Sequence, residues 1–221
     1  MPLFLPRSDD SLRETLPGHC RYYVVETAGE PERASAETDG WRMSYSLAPE
    51  AGLEEAVIRR CAAAGVTITT AESCTGGGLG SALTAPAGSS SVYAGGVVSY
   101  SYELKERLLG VPGALLKEHG AVSEECALAM ARGAAKRLGG NRQIAITGIA
   151  GPEGGTPEKP VGLVYMALLD GEQAALYRFR FSGNRQAVRE RSVEAALILL
   201  LDPELPNELL ERIDGIRLTA V

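Results

Sequence analysis

The chain has 221 residues, of which 45% are hydrophobic and 23% are charged, and its formal net charge is -6 at pH 7. These values are typical of a soluble globular protein with one sizeable core, and two full domains would be cramped at this length. A negative net charge disfavours general binding to nucleic acid or to an anionic membrane surface. We therefore expect small-molecule partners.

The sequence carries no pattern typical of membrane insertion or export. Its longest apolar run, Ala195 to Leu201, is far too short to span a bilayer. The amino terminus lacks the basic region and apolar core of a signal peptide, which favours a cytoplasmic protein. We expect neither a metal site nor a cofactor nor a disulfide framework, because no histidine pair, acidic cluster or C-x-x-C pair accompanies the four cysteines, Cys20, Cys61, Cys74 and Cys126.

The composition divides the chain into a main domain, residues 51–203, an amino-terminal extension, residues 1–50, and a carboxyl-terminal tail, residues 204–221. Within the extension, Arg21 to Glu26 and Trp41 to Leu47 each resemble a strand, which predicts a short β-hairpin-like unit. Because an isolated hairpin is marginally stable, we expect it to pack on the main domain or on a second subunit. A short helix is expected in the tail.

The main domain is organised around the stretch from Thr69 to Gly80, which is rich in hydroxyl groups and glycine. A strand is predicted before it at Val66 to Ile68, and a helix begins near Leu79. Such a turn presents backbone N–H groups to an anion such as a phosphate or carboxylate, although a tight turn without a ligand is the alternative. Within it, Cys74 is either a thiol of lowered pKa or a small buried residue.

Helix and strand patterns alternate along the rest of the main domain. Helices are predicted from Leu53 to a stop at Gly65, from an N-cap at Ser123 to Gly139, and after an N-cap at Asn184. Strands are predicted at 95–100 and 144–146 and in a hairpin of 161–169 and 174–181. We predict an α/β fold, a mixed sheet covered by helices in three αβα layers, in which the turns at Ser73, Tyr100 and Thr147 converge beyond the strand ends.

Six motifs in fixed order resemble the CinA carboxyl-terminal family. They are Thr70-Ala71-Glu72-Ser73-Cys74-Thr75-Gly76-Gly77, Gly88-Ser89-Ser90, Val98-Ser99-Tyr100-Ser101 with Lys105, His119-Gly120-Ala121-Val122-Ser123, Thr147-Gly148-Ile149-Ala150-Gly151-Pro152, and Glu158-Lys159-Pro160-Val161-Gly162. The resemblance runs from about Leu53 to Leu201. It implies a metal-independent nicotinamide-nucleotide amidase, which hydrolyses nicotinamide mononucleotide to nicotinic acid mononucleotide and ammonia.

The resemblance implies a catalytic set of serine, tyrosine and lysine. Amide hydrolysis needs a nucleophile, a group that takes its proton and later protonates the leaving ammonia, and donors for the oxyanion. Lys105 and Tyr100 are the implied proton-transfer residues, and both Ser73 and Ser90 match positions of the family's site. We prefer Ser90 as nucleophile, because its loop leads into the Tyr100 strand and would approach Lys105, with Ser73 orienting the substrate. The reverse assignment stays open.

The implied substrate-binding residues supply N–H, hydroxyl and charged groups for a phosphate and a ribose. They are Glu72, Thr75, Gly76, Gly77, Ser89, Thr147, Gly148 and Arg185. Tyr102 is a departure from the family, since relatives often have asparagine there, and it bears on substrate preference. His119 is expected to be structural.

Two other functions compete with the amidase. A pyridine-nucleotide-binding regulatory module would keep the phosphate turns without efficient chemistry. An interaction role in competence or DNA-damage responses would follow the family name, but the acidic charge balance argues against direct binding to DNA. The resemblance also implies a homodimer or a higher homo-oligomer.

Overall fold

The computed structural model of the chain describes residues 52–201 in full and residues 20–27 and 216–220 as backbone strands. The helices are α1 (Leu53–Ala63), α2 (Gly78–Thr84), α3 (Tyr102–Leu109), α4 (Gly113–His119), α5 (Glu124–Leu138) and α6 (Arg185–Leu201). A 3₁₀ turn covers Ser89–Ser91. The strands are β1 (Cys20–Thr27), β2 (Ile68–Glu72), β3 (Tyr93–Val98), β4 (Arg142–Gly148), β5 (Leu163–Asp170), β6 (Gln173–Arg180) and β7 (Ile216–Ala220).

The strands form one mixed sheet in the order β3-β2-β4-β5-β6-β1-β7. β2 runs parallel to β3 on one side and to β4 on the other, whereas β5 is antiparallel to both β4 and β6. The β5–β6 pair is the predicted hairpin, closed by Gly171 and Glu172 between the paired residues Asp170 and Gln173. The carboxyl ends of the three mutually parallel strands, β3, β2 and β4, therefore lie at the same end of the sheet.

Helices cover both faces of the sheet, as predicted. Strand side chains alternate between the faces: Ile144 and Ile146 of β4 pack with α1, α2 and α6, while Ala145 packs with α5. Alanines at this second face of the sheet let α5 approach the strands closely. On its other contact, α5 packs against the end of α3, where a Cβ at Gly133 would be 2.0 Å from the Leu109 carbonyl oxygen. The α/β fold in three αβα layers is confirmed.

The caps predicted at two helix starts are present. The Ser123 hydroxyl accepts a hydrogen bond from the Cys126 amide at 3.2 Å, and the Asn184 side chain accepts one from the Ala187 amide at 3.0 Å. Within residues 52–201, no helix is long and apolar enough to cross a membrane.

The strand of the central stretch lies later in the sequence than predicted. β2 begins at Ile68 and includes Thr69 to Glu72, residues that the sequence analysis assigned to the turn. The threonines stay extended because β2 is paired on both sides, and neighbouring strands outweigh the turn preference of polar residues. The turn itself therefore starts at Ser73.

The terminal segments contribute strands to the same sheet. β1 includes the strand predicted at 21–26; it pairs in parallel with β6 and antiparallel with β7. Its predicted hairpin partner, residues 41–47, lies outside the described residues. In the tail, Ile216–Ala220 is a strand that pairs with β1, and residues 204–215, the rest of the segment in which a short helix was expected, lie outside the described residues.

Candidate active site

The carboxyl ends of β2, β3 and β4 bring three predicted site segments together. The Ser73 amide donates to the Ile146 carbonyl at 2.9 Å, and the Ser99 amide donates to the Glu72 carbonyl at 2.8 Å. These bonds continue the ladder for one residue beyond the β2 strand. The segments that follow the three strands therefore meet at this edge, as the alternation of strands and helices predicted.

The Lys105 ammonium lies between two of these segments. Its Nζ donates to the Ser73 hydroxyl at 2.9 Å and to the Ser99 carbonyl oxygen at 2.6 Å. The Ser101 hydroxyl caps α3 by accepting from the Leu104 amide, so the helix starts where it turns Lys105 back toward the strand ends. The structure thus brings Ser73 and Lys105 into direct contact.

The surroundings of Lys105 favour its neutral form. The residue is fully buried, and Ser73 is 8% exposed. Burial lowers the pKa of the Lys105 ammonium below its ordinary value, and the Cys126 and Cys74 thiols oppose this weakly. Among the described residues, no carboxylate forms an ion pair with Lys105. A lysine in this position can accept the proton of a neighbouring hydroxyl.

The preference for Ser90 as nucleophile is not supported by the geometry within one chain. Ser89 and Ser90 lie in the 3₁₀ turn that precedes β3, whereas Tyr100 and Lys105 follow it. A six-residue strand spans about 20 Å, so the two groups lie at opposite ends of β3. The loop does lead into the Tyr100 strand, but it enters at the strand's amino end.

Tyr100, an implied proton-transfer residue, contacts Arg185. Its side chain is 58% exposed, and its hydroxyl accepts a hydrogen bond at 3.0 Å from Arg185. The same guanidinium donates to the Gly151 carbonyl at 2.9 Å. The two predicted residues are therefore joined at the rim of the site, beside the Ser73–Lys105 pair.

The Glu72 carboxylate, which was expected to contact the ribose or a hydroxyl, is already used by hydrogen bonds within the chain. Its carboxylate is 2% exposed and accepts hydrogen bonds from the amides of Gly77, Leu79 and Gly80 at 3.0, 3.1 and 2.8 Å. These are the first N–H groups of α2, which the sequence analysis assigned to a phosphate. The protein's own carboxylate occupies that position, because a buried helix start needs acceptors for its free amides.

The glycines of the turn have a conformational role. Gly76 and Gly77 adopt φ of 63° and 95°, a region that side chains disfavour. The Gly76 amide donates to the Ser73 carbonyl at 3.1 Å, so its donor is also used internally. Thr75 differs from its neighbours, because its hydroxyl is buried and has no hydrogen-bond partner within the described residues.

The predicted anion site at Thr147 and Gly148 is likewise filled by the protein. The Thr147 hydroxyl donates to the Ala121 carbonyl at 2.6 Å. At Gly148 a Cβ would be 2.7 Å from a Val164 methyl carbon, so glycine is required there for strand packing. Both residues therefore build the site's frame.

The 119–122 loop is fixed over this edge by two further side chains. Lys159 donates to the carbonyls of His119 and Val122 at 2.6 and 2.8 Å. The Tyr102 hydroxyl accepts from the Ala121 amide at 3.2 Å, so the residue that departs from the family's pattern holds this loop. Sequence reasoning gave neither residue a role of this kind.

Cys74 follows the second of its two interpretations. It is 5% exposed, and burial raises the pKa of its thiol to about 12. A thiol with this pKa is protonated at neutral pH and is a poor nucleophile.

Arg189 is a site residue that the sequence analysis missed. Its Nη2 donates to the Thr75 carbonyl at 2.9 Å, and it stands one helical turn after Arg185 on α6. The spacing of four residues along a predicted helix was the available signal, since it puts both arginines on one face.

A groove of about 690 Å³ lies elsewhere, between α4, α5 and β6, with an apolar floor that includes Leu109, Leu115, Leu128 and Leu176. None of the predicted site residues lines it. The Ser73–Lys105 pair therefore lies outside this groove.

Comparison with known proteins identifies relatives over the main domain. A curated CinA-like protein of Parasynechococcus marenigrum is 56% identical over 135 residues, which are 60% of this chain and 32% of the relative. One from Kosmotoga olearia is 46% identical over 157 residues, 71% of this chain and 38% of the relative. The chain thus spans about a third of the length of these curated relatives.

Solved structures share the fold. A CinA superfamily protein of Klebsiella pneumoniae matches with a TM-score of 0.66 and 42% identity, over 67% of this chain and 93% of the other. A competence/damage inducible protein of Agrobacterium tumefaciens gives 0.65 and 42%, with coverages of 67% and 93%. The family model described as the CinA C-terminal domain matches residues 50–203. The chain therefore belongs to the CinA C-terminal domain family.

Proposed function

We propose that this chain is an amidohydrolase that converts nicotinamide mononucleotide to nicotinic acid mononucleotide and ammonia. The observation that carries the proposal is the 2.9 Å hydrogen bond between the Lys105 ammonium and the Ser73 hydroxyl in a buried setting. A serine and a lysine in contact supply the nucleophile and the base that amide hydrolysis needs. The choice of this nucleotide rests on the family resemblance.

In the first half of the proposed reaction, neutral Lys105 takes the proton of the Ser73 hydroxyl as Oγ attacks the carboxamide carbon. The lysine then returns that proton to the amide nitrogen, the C–N bond breaks, and ammonia leaves. The Ser99 carbonyl accepts one Nζ proton at 2.6 Å. This bond holds the amine so that its lone pair faces Ser73, and it is available in both charge states of the lysine.

In the second half, Lys105 takes a proton from water as the water oxygen attacks the acyl carbon. The acyl–Oγ bond breaks, Ser73 regains its proton from the lysine, and the carboxylic acid product ionises. Lys105 Nζ thus accepts and returns a proton in both halves of the reaction, as a general acid–base catalyst does.

The test measures ammonia release from nicotinamide mononucleotide by the wild type, Ser73→Ala and Ser90→Ala. We expect Ser73→Ala to lose nearly all activity and Ser90→Ala to keep it within a few fold. Activity lost in Ser90→Ala but kept in Ser73→Ala would reverse the assignment. A folded wild type that binds the nucleotide by calorimetry yet releases no ammonia would favour the regulatory module, and a wild type without binding would overturn both functions.

A further inference from the structure

The first two turns of α6 direct a pair of arginines at the candidate active site. Arg185 donates to the Tyr100 hydroxyl and the Gly151 carbonyl, and Arg189 donates to the Thr75 carbonyl. Gly76 borders the same group, since a Cβ there would be 3.6 Å from Arg189 Nη2. The two guanidinium groups therefore border both the turn that follows β2 and the segment that follows β3.

All the acceptors that these arginines contact are neutral. Within the described residues neither guanidinium forms an ion pair, whereas Arg142 pairs with Asp170 at 2.6 Å and Arg107 with Glu103 at 3.0 Å. The chain as a whole has an excess of acidic residues. Two adjacent cations without a carboxylate partner concentrate positive potential at one side of the site.

The residues that the two arginines contact are close in sequence to Ser73 and to Ser99, the partners of Lys105. Thr75 is two residues from Ser73, at most about 7 Å along the chain, and Tyr100 directly follows Ser99, which holds Lys105. The Thr75 hydroxyl, on a residue 1% exposed, has no partner. A buried hydroxyl without a partner costs free energy unless a ligand or water satisfies it, and this one belongs to the residue whose carbonyl Arg189 contacts.

The other predicted anion site is closed to a substrate. The Glu72 carboxylate already accepts the first amides of α2, and a second anion there would face its negative charge. The arginines remain, and their planar guanidinium groups suit the oxygens of a phosphate.

We propose that Arg189, acting with Arg185 and the Thr75 hydroxyl, binds the phosphomonoester of the substrate and sets the preference for a nucleotide over its nucleoside. This inference rests on the proposed function, because the phosphate is that of the amide substrate. Arg185 was expected to bind phosphate by resemblance; the assignment of Arg189 and of the pair comes from their positions on α6.

The test compares nicotinamide mononucleotide with nicotinamide riboside as substrates of the wild type and Arg189→Gln. Glutamine keeps an N–H donor for the Thr75 carbonyl but removes the charge. We expect kcat/KM for the nucleotide to fall about 10- to 100-fold, mainly through KM, and kcat/KM for the riboside to change less than about threefold. Arg189→Lys should recover part of the loss, and Arg59→Gln, an exposed arginine of α1, should match the wild type.

Equal losses on both substrates would overturn the inference and make Arg189 a support of the turn alone. A wild type that does not prefer the nucleotide would also overturn it while leaving the amidase standing. If the wild type releases ammonia from neither substrate, the proposed function fails and calorimetry decides the inference. Tighter binding of the nucleotide than of the riboside, lost in Arg189→Gln, would support it; equal binding would overturn it.

Discussion

Replacing Lys105 with methionine tests the proposed base most directly. Methionine retains much of the apolar stem but removes the amine, and with it the hydrogen bonds to Ser73 and to the Ser99 carbonyl. General-base catalysis contributes about 10²- to 10⁴-fold, so we expect kcat to fall by at least that factor. The corresponding rise in activation free energy is about 3 to 5.5 kcal/mol.

The same substitution should have a modest effect on stability. It removes the cost of burying an ammonium. It also leaves the Ser73 hydroxyl and the Ser99 carbonyl without this donor, and each lost hydrogen bond destabilises the fold by about 1–3 kcal/mol. These effects oppose one another, so we expect the free energy of unfolding at pH 7 to change by less than about 2 kcal/mol. A large loss of activity with a small change in stability would separate catalysis from folding.

The pH dependence of stability and of kcat/KM tests the direction of the Lys105 pKa shift. Because burial lowers the pKa of Lys105 in the folded state, the unfolded chain binds the proton more tightly between the folded value and 10.5. Over that interval the wild type should gain stability as pH rises, and Lys105→Met should lack this gain. In the same direction, kcat/KM should rise with pH to a plateau with an apparent pKa below 10.5.

The assays are ammonia release and urea unfolding, each across pH, with Lys117→Met as the matched control at an exposed lysine of α4. Lys105→Arg should be inactive at every pH, because a guanidinium stays protonated. Either Lys105→Met activity within tenfold of the wild type, or an unchanged alkaline limb in its stability profile, would refute the reasoning.

Three further predictions concern the frame of the site. Glu72→Gln should cost about 2–4 kcal/mol in urea unfolding, since a neutral amide replaces a buried carboxylate that accepts hydrogen bonds from three backbone amides; a loss below about 0.5 kcal/mol would contradict the assigned cap. Gly133→Ala should lower stability by about 1–3 kcal/mol, because its Cβ would meet the Leu109 carbonyl at 2.0 Å. Its control, Gly113→Ala, meets only the flexible end of a glutamate and should change stability little. Cys74 should resist labelling by a thiol reagent at pH 8 in the native state and label on unfolding, as peptide mapping would show; rapid native labelling would contradict its burial and raised pKa.

The alternation of strands and helices was predictable because each element carries its own local signal. Ser123 and Asn184 correctly predicted helix starts, and the alternating side chains of the β5–β6 pair correctly predicted a hairpin. The start of β2 was less predictable, since its threonines are held extended by strands far away in sequence. Tertiary pairing, which a local pattern does not contain, decided that boundary.

The candidate site was predictable as a set of residues but not as a set of contacts. Lys105 and Ser73 were both identified, yet the choice between Ser73 and Ser90 depended on the fold: Ser73 follows β2 and contacts Lys105, whereas Ser90 precedes β3, at that strand's other end. The glycine-rich turn had the composition of an anion site, but its acceptor, Glu72, is supplied from the preceding strand. Which donors are already occupied is a property of the folded chain, so sequence alone left it open.

The buried carboxylate of Glu72 gives the central turn an internal ligand that is covalently part of the chain. Because Glu72 is part of the same chain, its carboxylate binds the first amides of α2 at a high effective concentration, and a dissolved anion competes poorly with it. Truncating Glu72 to glycine would turn the start of α2 into an empty receptor for small carboxylates, and formate or acetate would then restore stability in proportion to its concentration. The turn has the composition of an anion site, but it is a joint between strand and helix that the chain closes with its own carboxylate.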